Sequence, residues 1–206
     1  MKNKYIYTIF RVLFCSIFLL ASPIKSKTIL DITENDFLIG EDNAPVTIIE
    51  YSSLSCSHCA NFHNDTLSLL KNEYIDTGKV KMVFRDFPFN YPALLGGMVL
   101  RCIPNDVRYD YMNALFQLQS DWVVKENEKS ANELYKIMQS GGMTKNEFDN
   151  CIQDRELENT ILQNVIDAQN EFNIKSTPSF LINGFLVEGN KSIKEFRQIL
   201  DKILSE

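Results

Sequence analysis

Two cysteines separated by two residues, Cys56 and Cys59, are the side chains of this sequence best suited to chemistry. They follow an apolar run, residues 46–51, and precede a segment in which apolar residues recur at helical spacing. Two thiols at the start of a helix can form a reversible disulfide, and the positive end of the helix dipole stabilises a thiolate on the first of them. The pattern therefore predicts thiol–disulfide redox chemistry, with the pKa of Cys56 below that of a free cysteine.

The elements around this pair predict a βαβ unit. A strand is expected over residues 46–52, a helix from an N-cap at Ser55 to a stop at Gly78, and a second strand over residues 79–84. A strand, a helix and a strand within about forty residues favour a right-handed crossover between parallel strands. The residues before this unit are expected to be a polar lead-in that ends at Asn43.

The rest of the chain divides into a helical block and a hairpin. Residues 91–172 show only helical patterns, and breaks at Pro104-Asn105, Ser120-Asp121 and Gly141-Gly142 divide them into four or five helices. A Thr177-Pro178 step then opens two short apolar runs, which Asn183-Gly184 joins as a two-residue hairpin turn. An amphipathic helix over residues 192–204 closes the chain.

Residues 1–26 are predicted to be a signal peptide, because basic residues precede an apolar stretch, residues 12–21, that is too short to span a membrane. Cleavage is expected after Ser26. Removal of this segment takes away four basic residues and no acidic ones, so the net charge changes from −6 to −10. An acidic mature chain has no electrostatic basis for binding nucleic acid or an anionic membrane, and neither is an expected partner.

Four cysteines remain after cleavage, an even number in a chain predicted to enter an oxidising compartment. Cys56 and Cys59 form one pair, and a structural disulfide between Cys102 and Cys151, both in the helical block, is expected as the second. Two free buried thiols or a redox-regulatory pair are the alternatives for Cys102 and Cys151.

A structural zinc site is the other common use of a CXXC motif. Zinc needs four ligands, usually from a second CXXC or from two histidines at metal-binding spacing. The chain has two histidines, His58 and His63, and their five-residue separation places them poorly on one helix face. No metal is therefore expected, and His63 is interpreted as a surface or packing residue.

A βαβ unit with CXXC at its helix start, followed by an X-Pro step, a hairpin and a terminal helix, resembles the thioredoxin fold. With helices inserted between the two halves, the chain resembles the DsbA family of exported thiol:disulfide oxidoreductases. The predicted fold class is α/β, with a thioredoxin-like domain over residues 27–90 and 173–206 and an inserted helical domain over residues 91–172. The matching motifs are Glu50, Cys56-Ser57-His58-Cys59, Thr177-Pro178-Ser179-Phe180 and Asn183-Gly184.

The resemblance implies catalytic roles at the redox pair and substrate binding at the proline step. Cys56 is expected to be the attacking thiolate, Cys59 the more buried resolving thiol, and His58 a group that favours the Cys56 thiolate. Thr177 and Pro178 are expected to bind substrate, with a cis peptide bond that presents the Thr177 backbone to an extended polypeptide. A trans strand entry is the alternative at this step.

Glu50 matches the buried carboxylate of the family and is a candidate catalytic proton carrier for Cys59. An ordinary carboxylate at the end of a strand is the alternative. No cofactor is implied, because the disulfide itself is the two-electron reagent.

The implied function is a periplasmic oxidoreductase that introduces disulfide bonds into reduced exported polypeptides and is reoxidised by a membrane partner resembling DsbB. Ser57 stands where the strongest oxidants of the family commonly carry proline, and Thr before the cis-proline also occurs among isomerases and reductases. A disulfide isomerase or reductase is therefore one alternative, and a non-catalytic metal-binding or holdase protein is the other. A monomer is expected, because residues 27–43 are too few to build a dimerisation domain.

Overall fold

The computed structural model describes residues 30–33 and 36–206. Its centre is a five-stranded sheet with the strand order β1-β3-β2-β4-β5, in which β2 and β3 are parallel and every other neighbouring pair is antiparallel. The predicted signal peptide and its cleavage after Ser26 lie outside the described residues. The strands are Phe37–Ile39 (β1), Val46–Ser52 (β2), Val80–Asp86 (β3), Ser179–Ile182 (β4) and Phe185–Glu188 (β5).

Strand β1 lies within the segment that was expected to be a polar lead-in, and that expectation is wrong for Phe37–Ile39. These residues pair antiparallel with β3, and the buried ring of Phe37 lies 5.4 Å from the ring of Phe84. A strand of 3 residues is too short to show an alternating pattern. Its conformation follows from pairing with the sheet and not from a local preference.

One continuous helix, α1 (residues 57–75), connects β2 to β3. Its backbone stays in the right-handed helical region at every internal junction, so the change from α-helical to π-helical hydrogen bonding does not interrupt it. Gly78 follows the helix with a φ of 72°, at the position where the sequence predicts the stop. The α-helical stretches are Ser57–Asn61 and Ser68–Leu70, and the π-helical stretches are Phe62–Leu67 and Lys71–Ile75.

Six helices occupy residues 91–172, where four or five were expected. The additional helix arises because the chain turns at Leu118, so the predicted break at Ser120-Asp121 falls inside a short helix and not between two helices. The breaks predicted near Pro104 and Gly141 do separate helices. The six are Tyr91–Arg101 (α2), Asn105–Gln117 (α3), Gln119–Trp122 (α4), Asn127–Ser140 (α5), Lys145–Ile152 (α6) and Arg155–Phe172 (α7).

The last part of the chain forms the predicted hairpin and helix. Asn183 and Gly184 have φ values of 46° and 88°, which is the left-handed conformation that a type I′ turn requires at both positions. The Asn183 side-chain oxygen accepts a hydrogen bond of 2.8 Å from the Thr47 N–H and so joins the turn to β2. Helix α8 (Ile193–Leu204) begins with a capping box formed by Ser192 and Glu195.

The sheet separates two apolar cores. The larger core packs against α1, α8 and the helical block, and the smaller core packs against α7 on the opposite face. Because side chains alternate along β2, Ile48 and Glu50 face the larger core, whereas Ile49 and Tyr51 face the smaller one. The predicted fold class is confirmed: a thioredoxin fold interrupted by helices. No helix in residues 30–33 and 36–206 is long and apolar enough to cross a membrane.

Candidate active site

Cys56 occupies the N-cap of α1, one residue later than the N-cap predicted at Ser55. Its backbone is extended, with φ −86° and ψ 119°, and no side chain makes a capping hydrogen bond there. The first N–H groups of the helix lack partners in their own helix, and an N-cap side chain usually satisfies them with an oxygen. In this protein the half-buried sulfur of Cys56 takes that position, and it remains accessible to a reaction partner.

Several donors converge on the Cys56 sulfur and lower its pKa from 9.0 to about 5. The largest contribution is a hydrogen bond from the Cys59 thiol; Thr177 and the backbone N–H groups of Cys59 and His58 add to it, whereas burial opposes it. The Cys56 thiol can also donate to the Thr177 carbonyl oxygen at 3.3 Å, a contact that favours the neutral thiol and limits the decrease. Cys56 is therefore mainly a thiolate at neutral pH, and the thiolate is the reactive form.

The main chain of His58 contributes to the stabilisation of the Cys56 thiolate. His58 is exposed, and the group through which it acts on the Cys56 sulfur is its backbone N–H. A main-chain donor needs no particular side chain, so the geometry of the helix start alone supplies this part of the effect. A role for the imidazole ring stays a prediction from the family resemblance.

Cys59 lies one turn further into α1 and is fully buried. Burial raises the pKa of its thiol, and the hydrogen bond it donates to Cys56 and the negative charge of Glu50 raise the pKa further. The two sulfurs are therefore chemically unequal, since one is an accessible thiolate and the other is a buried thiol that keeps its proton. A pair of this kind can attack with Cys56 and resolve with Cys59.

The Thr177–Pro178 peptide bond is cis, as predicted, and directly precedes β4. The fold brings Thr177 beside Cys56 across 121 residues of sequence. The Thr177 hydroxyl lowers the pKa of both cysteines, although it has no hydrogen bond of ordinary geometry within the described part of the chain. Backbone groups of this loop thus lie next to the reactive sulfur, where an extended polypeptide could pair with them.

Glu50 lies in the middle of β2 with its side chain fully buried, so the interpretation as an ordinary strand-end carboxylate is wrong. Its two oxygens lie 3.2 and 3.1 Å from Nε2 of His63, which is also fully buried and stacks on Phe116 with ring centroids 3.9 Å apart. Sequence reasoning missed this pair because it gave His63 no role beyond the surface or packing. Helical spacing held a signal: His63 lies four residues from both Cys59 and Leu67, which are buried on the same face of α1.

Gln119, the first residue of α4, is a second residue that the sequence analysis missed. Its Nε2 atom donates to the carbonyl oxygens of Leu54 and Cys56 at 2.8 and 3.1 Å. The helical block therefore holds the backbone on both sides of the turn that carries the nucleophile. Nothing in the sequence indicates a contact between residues 63 positions apart.

Cys102 and Cys151 are joined by a disulfide that connects the end of α2 to α6, with Cα atoms 6.3 Å apart. The bond lies within the helical block. A bond between two helices of one block agrees with the structural role that the sequence predicts for the second pair.

Potential metal ligands are not clustered in the described part of the chain. No group of three or more His, Cys, Asp or Glu side chains in residues 30–33 and 36–206 is arranged to hold a metal ion. Glu50 and His63, two buried groups of these types, pair with each other. The reactive groups that the site brings together are two thiols, a carboxylate and an imidazole.

Known proteins are similar to this chain in both sequence and structure. A family model described as thioredoxin matches residues 32–202. A protein-disulfide oxidoreductase of Rickettsia bellii is 31% identical over 186 residues, which cover 87% of this chain and 69% of that protein. Disulfide bond formation protein D of Bacillus subtilis is 25% identical over 172 residues, which cover 81% of this chain and 76% of that protein. The chain spans about two thirds of the length of the Rickettsia relatives.

A crystal structure of alpha-DsbA1 from Wolbachia pipientis superposes with a TM-score of 0.81 at 30% identity, covering 86% of this chain and 94% of that chain. The shared fold includes the helices inserted between the two halves of the thioredoxin unit. The family model, the relatives and the redox pair at the start of α1 agree with one another. The chain thus belongs to the thioredoxin family, and within it this protein is a DsbA-like thiol:disulfide oxidoreductase.

Proposed function

We propose that this protein oxidises reduced exported polypeptides in the periplasm and that the Cys56–Cys59 disulfide is the oxidant. The observation that carries the proposal is the inequality of the two sulfurs, with a Cys56 pKa of about 5 and a buried Cys59 whose pKa is raised. A thiolate with a low pKa is a good leaving group and stabilises the reduced protein. Both properties make the disulfide a strong oxidant and favour transfer of the disulfide to substrate.

The reaction proceeds by two thiol–disulfide exchanges. A substrate thiolate attacks the Cys56 sulfur, the Cys56–Cys59 bond breaks, and Cys59 leaves as a thiolate and takes up a proton, with buried Glu50 as its proposed carrier. A second substrate thiolate then attacks the substrate sulfur of the mixed disulfide and releases Cys56 as a thiolate. The substrate loses two electrons and gains a disulfide, and the Cys56/Cys59 pair gains those electrons without a cofactor.

Substrate recognition is assigned to the loop that ends in the cis proline. The Thr177 carbonyl oxygen lies 3.3 Å from the Cys56 sulfur, so a peptide backbone that pairs with Thr177 would place its own cysteine beside Cys56. Main-chain pairing of this kind depends little on side chains. It suits an enzyme that acts on many unfolded polypeptides.

The proposed location is supported by the sequence, and the proposed reoxidase comes from the family resemblance. Residues 1–26 have the pattern of an export signal, which supports a periplasmic location. A membrane reoxidase resembling DsbB would then restore the Cys56–Cys59 disulfide after each cycle. One chain carries the redox pair and the Thr177–Pro178 loop together, which is consistent with a monomer.

The proposal is tested by mixing the purified, oxidised protein with a peptide that contains two cysteines, in the absence of oxygen. One disulfide should form in the peptide for each protein molecule consumed, and Cys56→Ser should form none. An isomerase would instead rearrange a substrate with wrong disulfides faster than it oxidises a reduced one. A metal-binding or holdase protein would leave the peptide reduced, and that result would contradict the proposal.

A further inference from the structure

The Glu50–His63 pair is unusual because it places two ionisable groups in an apolar core. Both side chains are 0% exposed. A buried carboxylate is costly unless an opposite charge or hydrogen bonds compensate it. A carboxylate paired with a protonated imidazole has no net charge, whereas a carboxylate paired with a neutral imidazole leaves one negative charge in the core. Burial therefore favours the form of the pair that holds one additional proton.

His63 has room for that proton. Its Nε2 faces both oxygens of Glu50, whereas Nδ1 is buried and has no hydrogen-bond partner among the described residues. A structural hydrogen-bonding histidine would normally have both nitrogens satisfied. The ring of Phe116 stacks on the imidazole, and the face of an aromatic ring favours a cation.

The groups around His63 are otherwise not ionisable. The rings packed against it come from α1, β3 and α3, and they are Phe62, Phe84 and Phe116. On the sheet, Phe84 and Phe180 are the register partners of Glu50 on the two neighbouring strands. Within the described part of the chain, the ionisable groups at this site are Glu50 from β2 and Cys59 from α1.

Phe84 and Phe116 also line a small cavity together with four charged side chains. Two of these, Arg101 and Asp86, form an ion pair with each other at 2.8 Å. Of the other two, Arg108 donates to the backbone carbonyl oxygen of Ile103, and Arg85 forms an ion pair with Asp36 at 2.8 Å. These charges are thus engaged with groups other than Glu50 and His63.

We infer that His63 is a positioning residue and the second proton site of the redox centre: Glu50 and His63 together hold one proton in the oxidised protein and deliver it to Cys59 when that sulfur leaves. This inference rests on the proposed function and deepens it. The step is balanced, because the S–S bond breaks, Cys59 leaves with the electron pair, and the proton moves from the pair to sulfur. Glu50 then remains as a carboxylate that accepts a hydrogen bond from a neutral His63.

The inference makes a kinetic prediction for the oxidised protein. Its reduction by glutathione is measured from pH 5 to 9, and each second-order rate constant is divided by the thiolate fraction of glutathione. Without an internal acid this corrected rate is independent of pH. With a proton donor it should be constant at low pH and then fall tenfold per pH unit once the pair has lost its proton.

A second measurement reports on His63 directly. The chain has two histidines, so His58→Gln assigns the imidazole resonances in an NMR titration of the oxidised protein. The midpoint at which the His63 ring loses its proton should coincide with the pH at which the corrected rate begins to fall. A corrected rate that does not depend on pH would overturn the inference, as would a His63 ring that does not titrate at the pH of the fall.

Variants separate this role from packing. His63→Gln keeps a polar side chain without a titratable group, and it should move or remove the fall in the corrected rate. Glu50→Gln should also move or remove this fall, and it should slow the reaction by about 10²-fold, as loss of a general acid does. Phe148→Leu, a buried change in the helical block, controls for lost stability and should keep the wild-type profile. An unchanged profile in His63→Gln would show that His63 only packs. If the wild-type protein does not react with thiols at all, the proposed function itself fails.

Discussion

The difference in stability between the reduced and oxidised proteins is predicted to change sign with pH. In the reduced protein the Cys56 pKa is about 5, whereas a cysteine in an unfolded chain titrates near ~8.5. A pKa that is lowered by folding stabilises the folded state at pH values above the unfolded pKa, and this stabilisation is lost as the pH falls through the folded pKa. At pH 7, about two pH units above the folded pKa, ionisation contributes about 2.7 kcal/mol, or about 2 kcal/mol after allowing for solvent screening at a half-buried sulfur.

The disulfide opposes this effect in the oxidised protein. Closing the short loop from Cys56 to Cys59 restricts the unfolded chain and contributes roughly 2 kcal/mol on the chain-entropy model. The two forms should therefore be about equally stable near pH 7. The reduced form should be the more stable one by about 1–2 kcal/mol at pH 8.5, and the oxidised form by a similar amount at pH 5.

The assay is urea unfolding of both forms at pH 5, 7 and 8.5, with oxygen excluded from the reduced sample. A thiol count before and after each melt ensures that the Cys102–Cys151 disulfide is intact in both forms. Cys56→Ser is the control, because it lacks the thiolate, and reduced wild-type protein should become more stable relative to it as the pH rises. A difference between the oxidised and reduced forms that stays constant from pH 5 to 8.5 would refute the reasoning about the Cys56 thiolate.

Four further changes should have distinct outcomes. Cys56→Ser should abolish exchange, whereas Cys59→Ser should still attack and should accumulate mixed disulfides on non-reducing gels, because the resolving thiol is missing. Gln119→Leu removes two hydrogen bonds beside the nucleophile and should lower the free energy of unfolding by about 1–2 kcal/mol. Gln117→Leu, at an exposed position, is its control. Equal free energies of unfolding for the two variants would contradict the role given to Gln119. Replacing Cys102 and Cys151 with alanine should lower the free energy of unfolding by up to about 4 kcal/mol and leave thiol–disulfide exchange intact. A variant that keeps its full stability but loses exchange would favour a redox role for that pair.

The parts of the fold that could be predicted are those with strong local signals. Strand β2 spans the predicted residues 46–52, and the Asn183-Gly184 turn adopts the predicted conformation, because apolar runs and glycine-containing turns act over a few neighbouring residues. The Cys56 N-cap was displaced by one residue from the prediction. The chemistry did not depend on that displacement, since the sulfur still lies at the positive end of the helix.

The parts that could not be predicted depend on contacts between distant residues. Strand β1 forms because it pairs with the edge of β3. The hydrogen bonds of Gln119 to the backbone around Cys56 form because the helical block packs over the start of α1. The pairing of Glu50 with His63 is of the same kind, since it joins the middle of a strand to a helix across the core. Each of these contacts needs the assembled fold, and a single sequence read segment by segment does not contain it.

The π-helical stretch Phe62–Leu67 has a consequence for aligning this chain with others. Hydrogen bonds in a π-helix span one residue more than those of an α-helix, so such a turn accommodates an inserted residue while the helix on either side keeps its faces. A homologous helix that is α-helical throughout would be one residue shorter at this point. A correct alignment with it needs a one-residue gap within residues 62–67, and without that gap the residues on one side of the π-helical stretch would be matched to residues on another face of the helix.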